Sequence, residues 1–194
     1  MIGIITFHAS HNCGSILQAY ALQKVLQTKL QYESEIIDFS NEGQRNYYSV
    51  FVKNDSIKHF VKNVVTTFFY GKAKEENRVY EEYIHNTLKL SQESYRETNE
   101  LEGIEKRYSA LICGSDQVWN PYFDSIPYLR ENFLMFAPSE KRISYAASIS
   151  APNIPNDKTS LYKDGFEGMH TLSLREQAGV DLVKRISGRD AEVH

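Results

Sequence analysis

The chain is short of cysteine. It has two in 194 residues, Cys13 and Cys113, and they lack the spacing of metal ligands. Both are expected to be small buried hydrophobes in a reduced protein. A basic excess is also missing. A net charge of −3 argues against a nucleic-acid-binding protein, because neutralising phosphates needs a basic surface. No apolar run approaches the roughly 20 residues that span a bilayer, and the chain opens on a strand-like run rather than a leader. These absences point to a cytoplasmic location, with the inner face of the membrane as the alternative. There is no internal repeat and no low-complexity tract. The length suits one domain with a core of ordinary size.

Tryptophan occurs once, and its surroundings are the most informative stretch of the chain: residues 108–122, YSALICGSDQVWNPY. The stretch opens as a short apolar run, Ala110-Leu111-Ile112-Cys113, of the kind that forms a buried strand. It breaks at Gly114 into a polar cluster of Ser115, Asp116, Gln117, Trp119 and Asn120, and Pro121 stops any continuation. In open α/β sheets, ligands bind beyond the carboxyl ends of the strands. This cluster stands at such a place.

The rest of the chain alternates strands and amphipathic helices. Residues 1–7 form a first strand, and the loop HASHNC follows it. Residues 14–30 are expected to be a helix, with Ile16, Ala19, Leu22, Leu26 and Leu30 at three- and four-residue spacing. Asn12 or Ser15 could cap it, and its amino end offers free N–H groups to an anion. One glycine in that turn is too few for a dinucleotide fingerprint. Residues 35–39 are a second strand and 41–46 a polar break. From Tyr47 the chain turns aromatic and basic. A helix is expected over 56–70, capped by Asp55 and ended by Gly71, and another over 75–86. Residues 88–90 suggest a short third strand, and 97–107 a charged, exposed helix. Residues 108–113 then form a fourth strand beside the first, across the point where strand order reverses. Further on come an apolar-aromatic segment at 128–136, a strand at 142–147, a helix at 159–167, a strand at 171–174, a helix at 175–186 and a strand starting at 191. The pattern predicts an α/β, doubly wound, mostly parallel sheet with helices on both faces. Residues 41–106 contain a helical aromatic and basic excursion. Its 56–74 segment permits membrane contact, but packing on its own domain is the simpler expectation.

CGSDQVWNP resembles the hallmark of the polysaccharide pyruvyl transferase family. The stretches GIITFHASHNCGSILQAYALQ, ISYAAS and LSLREQAG agree in content and order. The resemblance implies a two-lobed, glycosyltransferase-B-like architecture, of which residues 1–194 form the amino-terminal Rossmann-like lobe. The second domain is expected to follow, and this lobe alone is expected to be inactive. The implied reaction moves the pyruvyl group of phosphoenolpyruvate onto a sugar of a cell-surface polysaccharide precursor, as a ketal. It requires a general acid, a general base, groups that hold the donor's phosphate and carboxylate, and groups that hold the sugar. It calls for no metal or redox cofactor, phosphoenolpyruvate being the donor substrate.

On this basis Asp116, His8 and His11 are the candidate acid–base groups. Asn12, Gly14, Ser15, Gln18, Gly114, Ser115, Gln117 and Asn120 are candidate binding residues, with Trp119 stacking on a sugar ring. Ser148 and Glu176 stand at other strand ends, and Arg175 could pair with phosphate or carboxylate. Each residue also has a plain structural role open to it: cap, turn brace or, for Trp119, core filler. The partners implied are a sugar or glycan acceptor, free or lipid-linked, and the second domain. A two-lobed glycosyltransferase using a nucleotide-sugar and a non-catalytic carbohydrate-binding lobe are the competing readings, because fold does not fix function.

Overall fold

A computed structural model describes residues 1–123 and 129–194. Tyr128, where the expected apolar-aromatic segment begins, lies outside the described residues. Five parallel strands form the sheet in the order β3-β2-β1-β4-β5. They are β1 (Ile2–Ile5), β2 (Ser34–Phe39), β3 (Leu90–Tyr95), β4 (Ala110–Cys113) and β5 (Arg142–Ser144). Single bridges, Ile143 to Thr171 and Ala147 to Leu174, carry β5 on toward β6 (Ser173–Leu174), which pairs with β7 (Glu192–Val193). The expected neighbours are neighbours: Ile4 of β1 lies between Ile36 of β2 and Ile112 of β4.

Strand periodicity divides the core between two faces. Ile4, Ile36 and Ile112 point to one face, where they meet Ile16, Ala19 and Leu22 of α1 (Cys13–Lys24) and Ile84 of α4 (Tyr70–Thr87). Ile5, Ile37, Leu111 and Cys113 point to the other face. There they meet Phe133, Tyr162 and Phe166 of the chain through α6 (Thr159–Gly168), and Leu182 and Val183 of α7 (Gln177–Ser187). The doubly wound sheet is therefore as expected.

Several elements depart from expectation. Residues 97–107 are two 3₁₀ turns, Thr98–Leu101 and Ile104–Arg107, because Gly103 sits between them at φ +87°. Leu101 and Ile104 are buried, so the segment is not an exposed helix. The polar break holds a short helix, α2 (Glu42–Tyr48), capped by Asn41, whose side chain accepts from the Gln44 N–H at 3.1 Å. Helix α3 runs over Ile57–Phe68 with Ser56, not Asp55, as its cap. Gly71 does not end a helix but lies in the first turn of α4. Helix α1 loosens into a wider turn at Val25–Lys29. The largest departure is in α3, none of whose residues is buried. Its apolar stripe does not pack on the domain.

Trp119 is a second correction. It is fully buried, its ring stacks on Phe133 at 4.9 Å, and its indole N–H donates to the Asn132 carbonyl at 3.1 Å. Tyr162 donates its hydroxyl to the Trp119 carbonyl. The ring offers no face to a sugar. A short fifth helix, α5 (Leu129–Asn132), serves as its platform. Trp119→Ala is expected to cost roughly 3–5 kcal/mol of stability, the range for emptying an aromatic core site. Urea denaturation checks this, and a loss under about 1 kcal/mol would return Trp119 to the surface.

Candidate active site

The adjacent carboxyl ends of β1 and β4 present two loops on one edge of the sheet. Gln18 on α1 ties them. Its Nε2 donates to Thr6 Oγ1 at 2.8 Å, and its Oε1 accepts from the Ser115 N–H at 2.9 Å and the Ser115 hydroxyl at 3.1 Å. Gly114 is needed for its shape. It has φ +119°, and a Cβ there would lie 2.2 Å from the Tyr145 carbonyl oxygen. Gln18, Gly114 and Ser115 thus set the loop geometry.

A cavity of about 280 Å³ opens between these loops, lined by Ser10, Asn12, Ser15, Tyr48, Asp116 and Gln117 among others. Phe7, Tyr47 and Phe123 give it aromatic walls. Asn12 also caps α1, accepting from the Gly14 N–H at 2.8 Å and the Ser15 N–H at 3.3 Å. Asp116 Oδ1 accepts from the Gln117 N–H at 2.7 Å. Its Oδ2 is shielded from solvent and has no hydrogen-bond partner among the described residues. Burial pushes the Tyr48 hydroxyl up from its ordinary pKa against a hydrogen bond with Ser10, and the neighbouring Tyr47 and Asp116 push the same way. Asn120 stays behind the cavity, donating to Gln117 Oε1 at 3.3 Å and accepting from the Tyr122 N–H at 2.9 Å.

Tyr48 is also a wall of a second cavity of about 320 Å³, which holds His8, His11, Asp38, Arg45 and Glu81. Farther along the edge, Glu176 Oε1 accepts from the Ser148 hydroxyl at 3.0 Å, the Ile149 N–H at 2.9 Å and the Ser150 N–H at 3.2 Å. Ser148 in turn donates its N–H to the Asp116 carbonyl at 2.8 Å. These two residues brace the Asp116 loop from behind. Arg175 is exposed, and its guanidinium makes no hydrogen bond among the described residues. The structure thus gathers Asn12, Ser15, Asp116 and Gln117 around one cavity and leaves Trp119, Ser148 and Glu176 as supports.

A family model described as polysaccharide pyruvyl transferase matches residues 12–193. The chain belongs to that family. No curated protein and no solved structure matches it.

Two pyruvyl transferase candidates, His8 and His11, are held more tightly than a free acid or base would be. His8 is buried, with Nδ1 3.2 Å from the Thr6 carbonyl oxygen and Nε2 3.1 Å from Asp38 Oδ1. Both ring nitrogens are therefore engaged within the fold, one by a backbone carbonyl and one by a carboxylate. The structure gives His8 the work of positioning Asp38. His11 pairs with Glu81 at 2.8 Å and stacks on Tyr80 with ring centroids 5.2 Å apart. The hydrogen bond from His11 holds the Glu81 carboxyl below its ordinary range against partial burial. The residues that the sequence reading missed are Asp38, Arg45, Tyr48 and Glu81. Asp38 carried a signal, a carboxylate inside the otherwise buried run EIIDF. The others come from the excursion and face the site only once α2 and α4 are folded.

Burial opposes the charge on Asp38, yet hydrogen bonds from His8 and Ser94 and the His8 and Arg96 charges hold its carboxyl well below the usual carboxylate range. Its stabilisation is therefore complete above the unfolded value near 4 and drains away as pH falls through the folded value. Asp38→Asn is expected to lose about 3 kcal/mol at neutral pH, since it removes the largely buried carboxylate charge around which His8, Ser94 and Arg96 are arranged. Its melting temperature is also expected to fall less than that of the native protein between about pH 5 and pH 3. Parallel melting curves for the two proteins across that range would contradict the assignment.

Proposed function

We propose that this chain is the acceptor-side lobe of an enzyme that transfers the pyruvyl unit of phosphoenolpyruvate to two hydroxyls of one sugar, as a ketal, on a cell-surface polysaccharide precursor. The observation that carries the proposal is Asp116. A carboxylate oxygen that is shielded, unpartnered among the described residues and set in a cavity wall is suited to accept a hydroxyl proton. Asn12, Ser15 and Gln117 supply amide and hydroxyl groups for the rest of the sugar, and Tyr47 and Phe123 supply its apolar contacts. Burial keeps Tyr48 protonated, so it acts as a donor.

The chemistry balances as follows. A proton adds to the methylene carbon of phosphoenolpyruvate, and the first sugar hydroxyl attacks the central carbon while losing its proton to a base. The bond from that carbon to the phosphate oxygen breaks. The second hydroxyl then attacks the same carbon and loses its own proton. Of the two hydroxyl protons, one replaces the proton spent on the methylene carbon and the other leaves with phosphate. Asp116 takes a hydroxyl proton. Arg175, two strand spacings from β4 and so about 10 Å along the edge, is an exposed cation for the donor's phosphate or carboxylate. The proton donor to the methylene carbon comes from a second lobe in this reading.

Asp116→Asn in the full-length enzyme tests the proposal. Asn keeps the Oδ1 contact to the Gln117 N–H but removes the basicity. Phosphate release from phosphoenolpyruvate with a panel of sugars should fall by about 10²-fold or more, with the melting temperature unchanged. A normal rate would remove Asp116 from the chemistry. Turnover of a nucleotide-sugar instead would move the enzyme to another reaction class.

A further inference from the structure

Helix α3 is inside out. His59, Asn63 and Thr66 are only partly exposed and form the side turned to the chain, while Ile57, Phe60, Val61, Val64, Val65 and Phe68 all face solvent. Ile57 is 84% exposed and Phe68 82%. At 100° per residue those six side chains fall within a single arc of roughly 140°. The orientation is fixed by polar contacts, because Asn63 both accepts from the Val52 N–H at 3.0 Å and donates to the Val52 carbonyl at 2.7 Å. Turning the apolar side inward would break them.

The charge around this face is mostly positive. Residues 53–74 carry five lysines and one aspartate, a net +4, in a chain whose total is −3. Lys58 and Lys62 follow directly on the edge of the apolar arc, and both are exposed. Phe69 and Tyr70 extend the aromatic surface into the start of α4, with Lys74 over the Tyr70 ring at 5.9 Å. An apolar arc with aromatics, flanked by lysines whose stems can lie along it, matches the interface of an anionic bilayer.

We propose that α3 is an interfacial anchor that lies in the headgroup region of an anionic membrane, its apolar arc toward the acyl chains and its lysines on acidic headgroups. A second copy of the chain is the poorer occupant. A two-fold contact would set the lysines against each other. The helix is also about 18 Å long and 10 Å wide, far short of the ~800 Å² per partner of a stable dimer. None of the described helices is long and apolar enough to cross a membrane, so this contact is peripheral. Tyr47 lines both the acceptor cavity and a hollow of about 470 Å³ beneath α3, shared with Asp55, His59 and Lys62. Docking would therefore hold the cavity mouth near the lipid surface. The anchor is independent of the reaction proposed above.

Vesicle sedimentation of the full chain tests it, with phosphatidylcholine alone and phosphatidylcholine mixed with phosphatidylglycerol. Binding is expected on the anionic vesicles, about tenfold or more above the neutral ones, and it should weaken as salt rises. Val61→Asp and the pair Lys58→Glu and Lys62→Glu should each lower it about tenfold, with melting temperatures little changed because all three side chains are exposed. Equal binding to both vesicle types would overturn the proposal, as would no binding to either. So would full binding by the variants, or a dimer in sedimentation equilibrium that Val61→Asp dissociates while vesicles capture nothing.

Discussion

The pairing of β1 with β4 decides where everything else stands. Parallel strands end on the same edge, so the loops after Ile5 and Cys113 are brought side by side although more than 100 residues separate them. Two features turn that proximity into a fixed site. The side chain of Gln18 spans the gap, bonded to Thr6 on one side and Ser115 on the other. Gly114, having no side chain, lets the β4 loop pass against the Tyr145 carbonyl. From there the loop is held down by Trp119 in the core and by Ser148, whose position Glu176 fixes in turn. The motif GSDQVWN is thus a turn, a half-satisfied carboxylate and a buried anchor in one short run. Its closing residues bury the support that keeps its middle in place.

Two carboxylates in neighbouring cavities show how environment divides labour. Asp38 is saturated. His8 and Ser94 donate to it, and its charge is held firmly in place. Such a group stabilises a fold and orients neighbours, but it has little capacity left for a proton. Asp116 has one oxygen satisfied by a backbone N–H and the other without a partner among the described residues. A shielded, half-satisfied carboxylate costs stability, and such a cost is more often met at functional sites than in a structural core. His8 and His11 each place one ring nitrogen on a carboxylate, Asp38 and Glu81 respectively.

The sheet was legible because buried strands and amphipathic helices leave periodic marks, and these alternate in the order of a doubly wound fold. The cluster after Cys113 was legible because dense polarity after a buried strand marks a ligand-binding edge. Single residues were not. Trp119 stands among polar residues, and only the packing of Phe133, Phe166 and Tyr162 from distant segments shows that it is core. Glu176 and Ser148 meet across 28 residues, a contact no local pattern encodes. Helix α3 has the periodicity of a helix packed on a core. Periodicity gives the width of an apolar face but not the direction in which it points. Asn63 sets that direction through Val52, a partner in the preceding loop.

Tyr47 and Tyr48 of α2 line the cavity between the β1 and β4 loops, and residues 49–56 join α2 to α3. The central claim is that the cavity between the β1 and β4 loops receives the sugar. Amide chemical-shift mapping during titration with an acceptor saccharide tests it most directly. The account predicts shifts concentrated at Asn12, Ser15, Asp116 and Gln117, with the amides of α6 and α7 unmoved. Shifts confined to α6 and α7, with the Asp116 loop silent, would contradict it.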